Sequence, residues 1–329
     1  MTDASTGPGG EGPWRIATRR SALAQAQAGQ FARQLEQATG RPAELVPMAT
    51  TGDEQPDRAI EAFDAKGVFV DRTRDAVLAG ECHMVVHSYK DLPTAQPHLL
   101  VIGAVPRRVD PRDALITRDG HTLASIPRGA PFTVGTSSQR RRAQLSKHRR
   151  DLLVQPLRGN LDTRLRRVAE GELDAVVVAM AGLIRMGPSE HPLKVVALEP
   201  GELLPAPAQG ALAVECRVDD RVTRKALRKV DDAESRLAVS VERSFLAALE
   251  GGCTAPIGAY ATVQTGATPD LQRVELLGMV SDPNGTTLLR ASHQATGAAI
   301  DELGLTLAAT LLAQGGEEVL ARIRAAQRG

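Results

Sequence analysis

Three short segments of the chain bring basic side chains and hydroxyls to places where an apolar run gives way to a turn or a helix. They are Val86-His87-Ser88-Tyr89-Lys90-Asp91, Gly135-Thr136-Ser137-Ser138-Gln139-Arg140-Arg141-Arg142, and Arg158-Gly159-Asn160 with Thr163-Arg164. With 40 Lys+Arg against 39 Asp+Glu, these clusters are not the by-product of a basic protein. The second is locally unfavourable, because cations in the first turn of a helix oppose its dipole at about 0.3–1 kcal/mol each. Conflicts of this kind belong at functional sites. A strand–turn–helix start already offers backbone N–H groups to an anion, and arginines add charge and a planar donor fork. The residue types call for a ligand carrying several negative charges.

Cys253 stands in Glu250-Gly251-Gly252-Cys253-Thr254-Ala255-Pro256-Ile257-Gly258, between a helical and a strand-like stretch. Two glycines give that loop unusual backbone freedom and bring the thiol out of the chain's shadow, which favours a nucleophile. Cys82 and Cys216 lie in apolar stretches and read as small buried hydrophobes. Three cysteines without close spacing make neither a disulfide framework nor a zinc site. His83-Met84-Val85-Val86-His87 has the spacing of a zinc-binding helix but lacks its glutamate and looks like a strand, so no metal is expected.

Composition excludes other partners. Aromatic residues make up 2% of the chain, with Trp14 the single tryptophan, too few to stack nucleobases. A net charge of +1 leaves no broad phosphate-tracking surface, so no nucleic acid is expected. No run approaches the roughly 18 apolar residues of a membrane span. Residues 1–13 read as a disordered leader rather than a signal peptide, and the reduced cysteines point to the cytoplasm.

Positioning these residues falls to alternating strands and helices from Trp14 to about Arg217, an α/β pattern. Arg15-Ile16-Ala17 leads into a helix from Ser21 with Leu23, Phe31 and Leu35 on one face. Glu44-Leu45-Val46-Pro47-Met48, Met84-Val85-Val86, Phe132-Thr133-Val134, Leu152-Leu153-Val154 and Ala175-Val176-Val177-Val178 read as further strands. VPRRVDP at residues 105–111 and EPGELLPAPAQG at residues 199–210 read as crossings between units. A charged helical region follows over residues 219–249. The tail then becomes α+β, with a hairpin at Asp282-Pro283-Asn284-Gly285 and closing helices from Ala298 onward.

In their order, RIATR at residues 15–19, VHSYKDLPT, DPRDA, GTSSQRRR, LRGNLDTRL, DAVVVAMAGLIRMG, PAPAQGALAVECR and EGGCTAPIGAYA resemble the porphobilinogen deaminase (hydroxymethylbilane synthase) family. The resemblance implies an enzyme of tetrapyrrole and haem biosynthesis, a transferase. It condenses four porphobilinogen units head to tail onto a dipyrromethane cofactor, releases ammonia, and hydrolyses off hydroxymethylbilane. On the family pattern Cys253 carries the dipyrromethane and Asp91 is the catalytic carboxylate, placed to stabilise the cationic azafulvene and to shuttle protons. Arg19, Ser21, Lys66, Ser88, Lys90, Thr136, Ser138, Arg140, Arg141, Arg158, Arg164 and Arg185 match positions that hold cofactor or substrate carboxylates. Lys66 is the one lysine kept in a loop that usually carries two, and Gln139 replaces an apolar residue.

The implied fold is three α/β domains. Residues 14–108 with 211–228, and residues 113–204, resemble the halves of a type II periplasmic binding protein. Residues 231–329 form a small α+β domain carrying the cofactor cysteine. A monomer is expected. Helical residues turn by about 100° each, so Arg140, Arg141 and Arg142 cannot all face one cleft. Arg142, Arg166 and Arg167 are assigned to solvent and Tyr89 to packing. A solute-binding protein or an effector-binding domain would also explain the arginines, but neither explains Cys253 and Asp91.

Overall fold

The structure, a computed structural model, describes residues 12–49, 71–188, 190–249, 255–266, 268 and 271–328. The chain divides into two compact units, one of Met1–Arg108 with Ala211–Arg236, the other of Val109–Gly210 with Leu237–Gly329. Among the described residues the strands form two five-stranded mixed sheets and one three-stranded antiparallel sheet.

In the first unit, with elements numbered along the whole chain, β1 (Trp14–Arg19), α1 (Ala22–Thr39), β2 (Ala43–Met48), α2 (Asp71–Leu78), β3 (Met84–Ser88) and β4 (Leu100–Ala104) precede β10 (Leu212–Arg217) and α6 (Arg221–Leu227). The sheet order is β2-β1-β3-β10-β4, parallel from β2 to β3, with β10 antiparallel to both neighbours. Ser21 caps α1 by accepting the Ala24 N–H. The helix buries Ala28, Phe31, Ala32 and Leu35, one stripe at helical spacing, against Ile16, Met84 and Val86. On the opposite face Ala17 and Val85 pack on Ala76 and Val77 of α2. Both faces are covered, which is why β3 reads as an unbroken apolar run. Burying a side chain such as Phe31 or Leu35 contributes about 1.5–3 kcal/mol, more than helix propensity supplies per residue, so packing sets where α1 lies.

In the second unit, β5 (Asp113–Thr117), β6 (Phe132–Gly135), α3 (Gln139–His148), β7 (Leu152–Gln155), α4 (Leu161–Ala169), β8 (Ala175–Ala179), α5 (Met180–Met186) and β9 (Lys194–Leu198) build a sheet ordered β7-β6-β8-β5-β9. Its design repeats that of the first sheet, with β6, β7 and β8 in the roles of β1, β2 and β3. In each sheet one strand, β10 or β5, runs antiparallel to its neighbours. Each of these two strands directly follows a passage of the chain from one unit to the other. Side chains alternate as a pleat requires: Leu115 and Val177 enter one core, while Ala114, Ile116, Val176 and Val178 enter the other.

The same unit holds the α+β portion. The strands β11 (Ile257–Gln264), β12 (Arg273–Ser281) and β13 (Leu288–Thr296) form an antiparallel meander. Phe245 of α7 (Ala233–Ala248), Leu307 and Leu311 of α8 (Leu303–Leu311), and Val319 of α9 (Glu317–Arg328) share a core with Leu276 and Val280. The expected hairpin is present: Gly285 donates to the Asp282 carbonyl (3.1 Å), and the Asp282 carboxylate accepts the Asn284 N–H (2.8 Å). The charged helical region expected over residues 219–249 consists of α6 and α7. Between them Asp231 accepts the Val105 N–H (2.7 Å) and Asp232 caps α7 through the Ser235 N–H (2.8 Å). The result is the α/β class expected from the sequence.

Candidate active site

Parallel neighbours emerge at the same sheet edge, so β1 and β3 deliver their following residues to one place. There the first unit collects Arg19 at the end of β1 with Ser21 beyond it, and Ser88 at the end of β3 with Lys90 and Asp91 beyond it. Tyr89–Asp91 is one turn of 3-10 helix, closed by the Leu92 N–H on the Tyr89 carbonyl (3.2 Å). Tyr89 and Leu92 are buried and anchor the turn, while Asp91 is exposed and Lys90 half-buried. Tyr89 therefore packs, as expected. The Ser88 hydroxyl is held by Gln27 of α1, which donates through Nε2 (2.9 Å) and accepts on Oε1 (3.1 Å).

Below this turn lies a charge network that the sequence did not reveal. Glu215 of β10 is fully buried and accepts two bonds from Arg74 (2.8 and 2.7 Å). His87 Nε2 lies 3.1 Å from the same carboxylate. Burial alone would raise the Glu215 pKa, but the bonds from His87 and Arg74 override it and hold the group at about 2. The Arg74 guanidinium thereby ties α2 to the sheet beside the Ser88–Asp91 turn.

The second unit gathers its residues in the same way, after the parallel strands β6, β7 and β8. Thr136 is buried, with its N–H on the Gln155 carbonyl (2.9 Å). The Ser137 hydroxyl donates to the Leu157 carbonyl (2.7 Å) and accepts the Leu157 N–H (3.0 Å), joining the loops after β6 and β7. Ser138 caps α3 and Asn160 caps α4, the latter accepting the Thr163 N–H (2.9 Å). Between them Gly159 has φ +101°, and a Cβ there would lie 2.9 Å from Thr163 Cγ2, so this loop needs glycine. Arg158 is exposed.

Arg140 and Arg141 are buried at the head of α3, whereas Arg142, Arg166 and Arg167 are exposed, in keeping with their assignment to solvent. The unfavourable cations have a partner the sequence did not disclose: Asp113 of β5, wholly buried, 2.6 Å from Arg141 Nη2 and 2.8 Å from Arg140 Nη1. Burial would raise the Asp113 pKa, but the charges of Arg140 and Arg141 hold it well below the usual carboxylate range. Arg164 is half-buried, its Nε on the Gly159 carbonyl (2.9 Å), and its pKa is lowered by burial and then by the charge of Arg141. Arg185 donates from Nη2 to the Gly210 carbonyl (2.8 Å), while its buried Nε has no partner. Burial lowers the Arg185 pKa to about 10. Among the described residues neither Arg164 nor Arg185 meets a carboxylate. Cations desolvated without a counter-ion form an anion site, and planar forks suit carboxylates.

Burial pushes the Cys82 thiol up to about 11 and the Cys216 thiol up to about 12, which makes both poor nucleophiles. Lys66 and Cys253 lie outside the described residues. Among the described residues there is no cluster of side chains suited to a metal, and no helix is long and apolar enough to cross a membrane.

Comparison with known proteins agrees with this chemistry. Residues 14–225 match the model of the porphobilinogen deaminase dipyrromethane cofactor-binding domain, and residues 236–313 that of the porphobilinogen deaminase C-terminal domain. The porphobilinogen deaminase of Nocardia farcinica is 49% identical over 320 residues, covering 96% of this chain and 90% of the relative. That of Brevibacillus brevis is 44% identical over 313 residues, covering 95% and 98%. Among solved structures, the regulatory domain of reduced OxyR from Pseudomonas aeruginosa aligns at a TM-score of 0.39 and 13% identity, over 66% of this chain and 98% of that one, a likeness too loose to bear on function. With two family models end to end and near-half identity along almost its whole length, the chain belongs to the porphobilinogen deaminase family.

Proposed function

We infer that Asp91, Cys253 and the arginines of the second unit carry the family's reaction in this chain. The chain is a transferase that joins four porphobilinogen units head to tail with loss of ammonia and hydrolyses the product to hydroxymethylbilane. Its dipyrromethane cofactor supplies the free pyrrole end on which the product grows. The observation that carries the assignment is the pair Arg164 and Arg185, half-buried and without a carboxylate partner among the described residues. Each pyrrole brings an acetate and a propionate, so the donor set fits the group.

Arg140, Arg141, Arg158, Arg164 and Arg185, with the hydroxyls of Thr136 and Ser138, would hold ring carboxylates. Arg19, Ser21, Lys66, Ser88 and Lys90 would do the same around Asp91. An exposed carboxylate on a short, anchored turn suits hydrogen bonding to pyrrole N–H groups and proton transfer at the aminomethyl carbon. Cys253 is the attachment point on this reading, a role for which the inert thiols of Cys82 and Cys216 are unsuited. The reading also takes the protein as a cytoplasmic monomer without a nucleic-acid partner. Its domains are residues 14–108 with 211–228, residues 113–204 and residues 231–329.

Intact-protein mass measurement tests the assignment. The purified chain is expected to exceed its sequence mass by two linked pyrrole units, with the excess on the peptide holding Cys253. Added porphobilinogen should yield a ladder of heavier species spaced by one deaminated unit. Cys253→Ser should lose the excess, and Asp91→Ala should keep it while losing nearly all turnover. Full activity in a chain of plain sequence mass, or ammonia release by Asp91→Ala within a few-fold of wild type, would sink the assignment.

A further inference from the structure

The two arginines at the head of α3 are locked from behind. Asp113 Oδ1 accepts from Arg141 Nε (3.0 Å) and Nη2 (2.6 Å), and Oδ2 lies 2.8 Å from Arg140 Nη1. Gln209, also wholly buried, donates from Nε2 to the same Oδ1 (2.9 Å) and to the Pro111 carbonyl (2.8 Å). Arg140 Nη1 donates to the Leu204 carbonyl (2.6 Å) and Arg141 Nη1 to the Val177 carbonyl (2.9 Å). Ala208, just before Gln209, is the one non-glycine residue with positive φ (61°) among the described residues. Its N–H is received by the buried carboxylate of Glu242 (2.6 Å).

Stability does not account for this arrangement, because a buried ion pair is as a rule no more stabilising than apolar residues of the same volume. Its effect is geometric. A guanidinium captures a carboxylate through a planar fork, so the plane must be held before the ligand arrives. Two positive groups side by side would otherwise swing apart, and one carboxylate between them leaves a single net positive charge. Gln209 fixes the carboxylate itself, from a backbone held in an unusual conformation.

We propose that Asp113, oriented by Gln209, is a positioning residue that holds the Arg140 and Arg141 guanidinium planes for capture of pyrrole carboxylates. The proposal rests on the reading of that arginine pair as carboxylate-binding. It differs in sign from simple charge neutralisation. Removing the Asp113 charge makes the site more positive, so a neutraliser's loss would tighten anion capture, whereas a positioner's loss weakens it.

The test is steady-state kinetics on purified Asp113→Asn and Gln209→Met holoenzymes, with thermal unfolding and intact mass to confirm folding and cofactor content. Gln209→Met keeps the charge of Asp113 and removes its orienting donor, together with the bond to the Pro111 carbonyl. KM for porphobilinogen is expected to rise about tenfold in Asp113→Asn, and by a smaller factor in Gln209→Met, with kcat falling less than KM rises. A KM that stays level or drops in the folded variants overturns the proposal, as does a loss confined to thermal stability. Should Asp113→Asn fail to fold, the Gln209→Met KM decides alone. Arg140→Gln separates the two readings: an unchanged KM there removes the arginine pair from carboxylate capture, whatever the other variants do. Arg142→Ala, on the exposed side of α3, serves as the unaffected control.

Discussion

Gln27 and Ser88 exchange two hydrogen bonds, Nε2 to Oγ at 2.9 Å and Oγ to Oε1 at 3.1 Å, and so fix the hydroxyl beside the Asp91 turn to the buried face of α1. Gln27 itself is buried at 5% exposure, which a surface glutamine would not be. Replacing it with methionine keeps the volume but leaves the Ser88 hydroxyl without this partner. An unpaired half-buried hydroxyl costs about 1–3 kcal/mol, and 1.4 kcal/mol expressed in turnover is about tenfold. Gln27→Met is therefore expected to lower both the denaturation midpoint and the rate of porphobilinogen consumption, as Ser88→Ala should. A folded Gln27→Met protein with an unchanged rate would show that Ser88 needs no such support.

A second expectation concerns pH. His83 Nδ1 accepts the Arg15 N–H (3.0 Å), its ring stands edge-on to Trp14 at 5.3 Å, and Arg41 stacks over Trp14 at 3.9 Å. Burial, and then the charge of Arg41, lowers the His83 pKa below its ordinary value. A histidine whose folded pKa is depressed stabilises the fold above its unfolded pKa of about 6.5 and loses that stability as pH falls. Protonation would also put a donor on Nδ1, against the Arg15 N–H. The unfolding midpoint is expected to decline as pH falls below about 6.5, and Trp14, the single tryptophan, should report the ring's protonation by loss of emission. His83→Asn keeps an acceptor near Nδ1 and should flatten both curves. An unaltered pH profile in that variant would acquit His83.

What the sequence made legible was local. Phe31 and Leu35 marked the buried face of α1, and the apolar run Met84-Val85-Val86 marked a strand covered on both sides. The two arginine–hydroxyl loops of the second unit were visible because capping residues and a glycine punctuate them, as Ser138, Gly159 and Asn160 do. Asp113 was not visible, because its meaning depends on β5 running antiparallel beside β8, which sets Asp113 opposite the sequence-distant Ala179. β4, β5 and β9 were passed over, the first two because they flank a proline-rich crossing that reads as a linker. Glu215 and Gln27 were missed because a polar residue, alone in the apolar β10 or one of several glutamines along α1, looks like a solvent-facing one until its partners arrive from another element.

The thiols offer a direct count. The chain has three cysteines, and burial pushes Cys82 to about 11 and Cys216 to about 12. Neither carries much thiolate at neutral pH. With Cys253 consumed as a thioether, a disulfide reagent should find essentially no fast-reacting thiol in the native holoenzyme and two after denaturation, not three. A third thiol on denaturing an active preparation would place the cofactor elsewhere.

The last expectation tests the loop that presents Arg158 and Arg164. Gly159 adopts φ +101°, and an added Cβ would lie 2.9 Å from Thr163 Cγ2 and 3.1 Å from Thr163 Cβ. Thr163 cannot simply turn away, because its N–H and hydroxyl both bond to Asn160 Oδ1 (2.9 Å each) in the cap of α4. Backbone strain at such a position costs about 1–3 kcal/mol. Gly159→Ala is expected to destabilise the protein by that amount and, because the Gly159 carbonyl anchors Arg164 Nε at 2.9 Å, to raise KM for porphobilinogen as well. Adding Thr163→Ser removes the nearest methyl while keeping the hydroxyl bond. It should recover part of the stability, though not the part due to φ itself. Equal KM values for wild type and Gly159→Ala would mean that Arg164 finds its place without this loop.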